Sequence, residues 1–500
     1  MSDDEIGIVI GESRPERIHF VANRPIRVGD YVMVETTDGP VLYMVEGFRN
    51  WSELLRSENM DYQTADEARR ASARNPRDRI KVGVAKVLGL VKHLVEDGRR
   101  IFPTLAPEPG TSVKPVDNDL LKQIYGSSGR EWVEIGYLLR RGKGVRISIN
   151  VNRVASRHLA ILAATGKGKS NFLALLAKRI AEKHGTMIIF DYHGEYVNIR
   201  MPGLRVTVPK INPRLLDAEE LADMIGVMQK ASVQRAVLAN VYTEDVRSAQ
   251  DFWVALRQAL DALASAGDNA RNRQAAQRLL QIVDRALRVW GEVFDPEAKS
   301  ALDVVENNKI NVLDISELTA YQAQIIVDWY LKEVLEDRKN AVKNLGNAKF
   351  KSPVVIAIEE AHVFLPSQRG TWCSETIARI AREGRKFGVS LIIISQRPSR
   401  LDADVVSQMG SFAISGLIHP KDQAFVREVT DDVSDELGAS LPSLNPGEMI
   451  LVGEFIKLPA LVKVDLVEEK FMGRDLDAVK LWEDEFNADS GYSTEELIKP

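Results

Sequence analysis

AATGKGKS, residues 163–170, decides how this chain is read. The apolar run LAILA (159–163) leads into it, and a helical run over 171–181 follows. A strand, a Gly- and Lys-rich turn and a helix in that order make a phosphate-binding loop of the Walker A kind. Backbone N–H groups and the helix N-terminus then face the phosphates. The residues expected to hold a nucleotide are Thr165, Gly166, Lys167, Gly168, Lys169, Ser170 and Asn171. Lys169 would reach the β- and γ-phosphates of ATP, and the Ser170 hydroxyl would bind Mg²⁺. Ala163 stands where the GxxxxGK[ST] pattern begins with Gly, a change Ala tolerates unless the backbone needs a positive φ there.

Other polar strand ends lie downstream. VVIAIEE (354–360) ends a buried-type strand on two acids, and the carboxyl end of a strand in an α/β sheet is where ligands bind. Glu360 would polarise the attacking water. Glu359, in place of the more usual Asp, would hold the metal through water. The plain alternative is a pair of solvated acids opening a helix. LIIISQRP (391–398) closes another apolar run on Gln396, which suits a sensor of the γ-phosphate or the water. FDYHGEY (190–196) offers Asp191 and Glu195 either to the same crevice or to a local turn. The helix IARIAREGRKF (377–387) groups Arg379, Arg382, Arg385 and Lys386. It reads either as a solvated helix end or as the source of an arginine acting on a neighbouring subunit's nucleotide. Arg157, upstream of the loop, is a second candidate phosphate contact.

Around these motifs, continuous apolar runs at 159–164, 186–190, 310–315, 354–358, 391–395 and 412–417 alternate with helical patterns. That texture predicts an α/β fold with a parallel sheet covered on both faces. Residues 213–293 carry no clear strand, and 274–290 space apolar residues helically, so a helical insertion is expected. Short Val- and Ile-rich runs at 6–10, 31–35, 41–45 and 81–91, broken by turns at Gly11, 29–30 and 38–40, suggest a small β-barrel. Residues 52–79 read as helix plus loop, and the proline-containing stretch 101–115 as a linker. Beyond 451 there is one strand candidate, 455–464, before a polar, acidic end.

Composition bounds the function. Five hundred residues suggest two or three domains. A net charge of -5 supplies no global basic field, so DNA binding would need cations gathered on loops or in a channel. A single cysteine, Cys373, excludes an intrachain disulfide and a cysteine-based zinc cluster. No apolar run reaches membrane-spanning length, and the start MSDDEIGIVIGE lacks the layout of a signal peptide. A cytoplasmic protein without a membrane partner is expected.

Taken together, LAATGKGKSN, IIFDYHGEY, VVIAIEEAHVFL, IAREGRKFGVSLIIISQRP and EFIKLPALVKVD resemble the HerA family of archaeal hexameric DNA translocases and helicases, within the HerA–FtsK superfamily. The resemblance runs over nearly the whole chain. It implies a RecA-like P-loop motor with a helical-bundle insertion, preceded by a HAS-barrel-like domain. The corresponding divisions are 1–110 for the barrel, 111–212 and 301–465 for the two parts of the motor, 213–300 for the bundle and 466–500 for a tail. It further implies a homohexamer around double-stranded DNA, acting in DNA end processing with a NurA-type nuclease beside the recombination nuclease machinery. It points to Lys169, Glu360 and Gln396 as ATPase residues, Arg157 as a contact in cis and Arg385 as the finger in trans. Lys167 stands where relatives often have Ser, making the loop more basic. Candidate DNA loops are 364–372, with Arg369, and 397–404, with Arg400. The barrel turns at 29–30 and 38–40 are the expected docking points for the nuclease.

Two other classes share the motifs: a conjugation- or secretion-type ATPase at a membrane, and a nucleotide-gated scaffold that recruits a nuclease with slow hydrolysis. The missing transmembrane segment opposes the first, and the acid pair favours hydrolysis over the second.

Overall fold

The computed structural model describes residues 5–468 except 76, 128, 267 and 268, together with 479 and 482. Alternation of apolar and polar side chains builds its first part. In β2 (Arg17–Ala22) every second residue is buried, so Ile18, Phe20 and Ala22 line one face. With β1 (Gly7–Arg14), β3 (Tyr31–Thr36), β4 (Gly39–Ser52), β5 (Arg79–Leu90) and β6 (Ser112–Pro115) it closes a barrel in the order β1-β2-β5-β4-β3-β6. Gly83 is needed inside it, because a Cβ there would lie 2.5 Å from the Phe20 ring. The closing strand β6 corrects the linker reading of 101–115, since Val113 pairs with both Gly7 of β1 and Val34 of β3. Four residues ending on proline carry too little pattern to announce a strand, and proline is tolerated at its end.

The second part is one sheet of β7 (Trp132–Leu138), β8 (Arg146–Asn150), β9 (Leu159–Ala163), β10 (Thr186–Asp191), β11 (Leu204–Thr207), β12 (Ile310–Asp314), β13 (Val354–Ile358), β14 (Val389–Ser395), β15 (Ser411–Ser415), β16 (Glu448–Gly453) and β17 (Ala460–Val464). Its order is β11-β12-β10-β13-β14-β9-β15-β16-β17-β7-β8. From β11 to β15 every pairing is parallel, and from β15 onward every pairing is antiparallel. The central parallel strands are buried throughout, as expected for a sheet covered on both faces. The strand expected at 455–464 is β17, confined to 460–464; its antiparallel partner β16 and strands β7, β8 and β11 carry no expectation from the sequence. They are short, and three of these five strands mix polar with apolar residues.

Between β11 and β12 the chain runs through helices Ala218–Ile225, Ser232–Val241, Glu244–Ser248, Phe252–Ala266 and Ala270–Trp290. Asp217 and Glu220 form a capping box at the start of the first. Trp290 Nε1, at the end of the last, donates to Met224 O at 3.1 Å and ties the two together. The barrel docks on the antiparallel half of the sheet. The hydroxyls of Tyr31 and Tyr125 meet at 2.9 Å, and Tyr125 also donates to Pro459 O at 3.0 Å. Gly29 packs under Leu461 of β17. The turn at 29–30 is therefore taken up by this intrachain contact, and Asp38 in the other expected docking turn accepts from Thr104 N at 2.7 Å. Nearly all of the tail at 466–500 lies outside the described residues. Among them, no helix is long and apolar enough to cross a membrane.

Candidate nucleotide site

The strand-to-helix turn after β9 has the backbone that its glycines allow. Gly166 and Gly168 sit at φ +74° and +106°, where an L side chain is strained. Ala163 is the last residue of β9 and is not among the positive-φ positions, so the departure from the Gly pattern is harmless. Gly168 caps the helix Lys169–Glu182, whose first backbone N–H groups lack intrahelical partners. A Cβ on Gly168 would come within 3.1 Å of Gly447 N, so the loop is pressed against the start of β16.

Three strand ends converge on this turn. Thr165 Oγ1 donates to Gln396 Oε1, just past β14. Lys169 Nζ lies 3.5 Å from Glu360 Oε1, beyond β13. Ser170 Oγ donates to Glu195 Oε2, beyond β10. The site therefore assembles along the carboxyl edge of the parallel strands.

Glu360 is 4% exposed and takes the left-handed conformation at φ 45°. For a residue with a side chain that conformation is uncommon and collects at functional sites. Its Oε2 is buried and makes no hydrogen bond, while His362 Nδ1 stands 3.1 Å away and His193 Nε2 lies 3.9 Å from Oε1. Burial pushes the carboxyl up, but His362, Lys169 and His193 together outweigh it and hold the group below the usual glutamate range. The result is an ionised, buried carboxylate flanked by Lys169 on one oxygen and His362 on the other.

Glu359 is placed otherwise. Its Oε2 accepts from Tyr192 N and His193 N at 3.2 and 3.3 Å. Burial, then the charges of Glu195 and Asp191, push it up to about 9. The carboxylate on Ser170 is Glu195, which corrects the pairing of Ser170 with Glu359 as metal ligands. FDYHGEY satisfies both of its open readings. Asp191 holds the local turn, accepting from Glu195 N at 3.0 Å and Tyr196 N at 2.8 Å, while Glu195 faces the crevice. Among the described residues no group of three or more His, Cys, Asp or Glu side chains is arranged to hold a metal. Mg²⁺ at phosphates typically takes one or two protein oxygens and completes its shell with phosphate and water. The Ser170 hydroxyl beside the Glu195 carboxylate fits that requirement.

Three expected contacts are corrected. Lys167 turns its side chain away from the turn and donates through Nζ to Leu444 O at 2.6 Å, so its charge is not added to the phosphate side. Asn171 is buried, donating to Asp465 O at 2.9 Å and accepting from Val467 N at 3.0 Å; it fastens the chain after β17 to the helix and does not face the loop. Arg157 precedes β9 and therefore lies at the opposite edge of the sheet from the turn, a strand of five residues or about 17 Å away. There its Nε pairs with Glu454 at 3.2 Å, so it is no contact in cis.

Arg385 is also at that opposite edge, near the end of the helix Ser374–Phe387 that feeds β14. It is exposed, and no ion pair or hydrogen bond among the described residues occupies its guanidinium. Pairing with Glu383 or a nearby acid, the plain reading of a helix end, is not observed. Sequence reasoning missed Glu195's partner and the two histidines flanking Glu360. His193 and His362 each lie within three residues of a polar strand end, which was the available signal.

The chain matches the family described as Helicase HerA, central domain, over residues 133–334, and the HAS barrel domain over 6–93. It is 33% identical to the DNA double-strand break repair helicase HerA of Saccharolobus solfataricus, over 95% of each chain. It is 34% identical to a probable helicase of Methanocaldococcus jannaschii, over 99% of this chain and 97% of that one. Among solved structures, VirB4 of Thermoanaerobacter pseudethanolicus superposes with a TM-score of 0.50 at 16% identity, covering 69% of this chain and all of that one, a likeness of fold alone.

Proposed function

This chain belongs to the HerA helicase family, and from that premise we propose that it is an ATP-driven motor that translocates along double-stranded DNA during end processing for recombinational repair. The observation that carries the reading is Glu360: an ionised, buried carboxylate 3.5 Å from the lysine of the phosphate-binding turn and flanked by His362. Glu360 accepts the proton of the attacking water as general base. Lys169 clamps the phosphates, and the turn's backbone N–H groups orient them. Gln396, held by Thr165, stands beside the same turn and positions the water or the γ-phosphate. Mg²⁺, held through Ser170 with Glu195 beside it, supplies charge neutralisation to the phosphates when bound.

The subunit completes only one side of this site, and we assign the other to Arg385 of a neighbour in a homohexameric ring. The NurA-type nuclease docks on the barrel. Its contact surface is the projecting arm of β4, where Phe48 and Trp51 are 45% and 46% exposed, with Leu54 and Leu55 beyond it. Pull-down of the nuclease by Trp51→Ala at wild-type strength would remove that assignment.

ATP turnover compared on duplex and single-stranded DNA tests the motor reading. Stimulation by duplex above single strands is expected. Equal rates with and without DNA would contradict it.

A further inference from the structure

The two loops singled out as DNA candidates are one clasp. Ser367 N donates to Arg400 O at 2.8 Å, Asp402 N to Leu365 O at 3.2 Å, and Pro366 bridges Leu401. Against the first turn of the helix Pro420–Val429 they enclose a cleft of about 710 Å³, lined by His362, Arg397, Arg400, His419, Lys421 and Asp422. Arg397, Arg400 and Lys421 are exposed, and no carboxylate among the described residues pairs with them. Asp422, the acid of this lining, is turned onto Ser399 N at 3.0 Å. Three cations facing one open cleft, against the single lining carboxylate of Asp422 and beside a helix N-terminus, suit a row of backbone phosphates. A chain of net charge -5 needs such a local concentration to hold DNA.

The cleft reaches the catalytic carboxylate through one side chain. His362 lines it and stands 3.1 Å from Glu360 Oε2. The same Nδ1 is 3.4 Å from Ser395 Oγ, which accepts from Arg397 N at 3.0 Å. The cleft wall, Ser395, His362 and Glu360 are thus in unbroken contact. We propose that this cleft receives the sugar–phosphate backbone of duplex DNA, and that His362 is a positioning residue that transmits its occupancy to Glu360. The inference rests on the motor reading above and adds the contact surface and the coupling residue. A phosphate drawn against Arg397 shifts the backbone that holds Ser395, and His362 then moves relative to the carboxylate that must accept the proton.

The test uses the full-length protein, a duplex oligonucleotide and its single strand. For each variant two quantities are read: the slope of log affinity against log salt, and the ratio of ATP turnover with duplex to turnover without. The ratio normalises every variant to its own DNA-free rate. R397Q/R400Q/K421Q should flatten the slope by about one per cation removed from a subunit that touches DNA. H362A should keep the slope, because the imidazole is turned onto Glu360 and Ser395 and the phosphate contacts are assigned to Arg397, Arg400 and Lys421, and lose the ratio towards one. H362N, which keeps a polar group near the Nδ1 position, should recover at least half of the ratio. Retained ATP binding in each variant excludes misfolding. A wild-type slope in the triple variant overturns the cleft assignment. A wild-type ratio in H362A, or an H362N as low as H362A, overturns the coupling. If the wild-type protein itself shows neither DNA binding nor stimulation, the motor reading falls, and this inference with it.

Discussion

The two edges of the parallel sheet differ in what they have finished. Along the carboxyl edge, Thr165 meets Gln396, Ser170 meets Glu195 and Lys169 meets Glu360, across four different strand ends. Along the amino edge, Arg157 is closed off by Glu454, while Arg385 is exposed with no partner among the described residues. On the proposed reading, a completed edge and an incomplete one on the same sheet make a subunit that holds the phosphates itself and takes the arginine for the transferring group from a neighbour. An arginine fixed beside its own ATP would add ground-state binding more than rate, whereas one delivered by a neighbour makes hydrolysis depend on assembly.

Arg385 gives the sharpest way to break the contrast. Arg385→Ala should lose roughly 10³–10⁵-fold in turnover, the range measured for arginine fingers. Mixing it with Lys169→Ala, each inactive alone, should restore activity wherever an intact turn meets an intact finger. If subunits exchange and no activity returns at any ratio, Arg385 does not act in trans, and Arg382 or Arg379 is next. Glu360→Gln probes the completed edge. The amide is a poor base, so turnover should fall by about 10²–10⁴-fold while ATP still binds. Near-normal turnover would remove Glu360 as the base.

Asn171 separates structure from ligand contact within the same motif. Asn171→Leu strands Asp465 O and Val467 N and should cost about 1–3 kcal/mol of stability in denaturant unfolding. ATP affinity should change little; a large loss of affinity at unchanged stability would return Asn171 to the nucleotide. The smallest effect belongs to Arg157. Its partly exposed pair with Glu454 contributes under about 1 kcal/mol, so Arg157→Ala should leave ATP turnover within a few-fold of wild type. A loss comparable to that of Arg385→Ala would mean that Arg157 also serves a neighbour's site, and the two edges would be less different than they look.

Glycines at 166 and 168, a lysine and a hydroxyl at the helix start, and acids or amides ending apolar runs are all contiguous signals. Each depends only on a strand ending and a loop beginning, so the turn, Glu360 and Gln396 could be read directly. Short Val- and Ile-rich runs broken by turns likewise announced the barrel, and continuous apolar runs the parallel strands. Neighbours in sequence set these features, because period and turn chemistry are local properties of the backbone. The direction of a side chain is not local. Lys167 and Asn171 sit inside the motif yet bond to Leu444 and to 465–467, segments nearly three hundred residues away that pack against the turn. Arg157 lies eight residues before Thr165 in the chain and a whole strand length away in space, because β9 separates them. Which edge a residue occupies, that Glu195 rather than Glu359 meets Ser170, and that β6 closes the barrel follow from strand order and packing, which only the folded chain fixes.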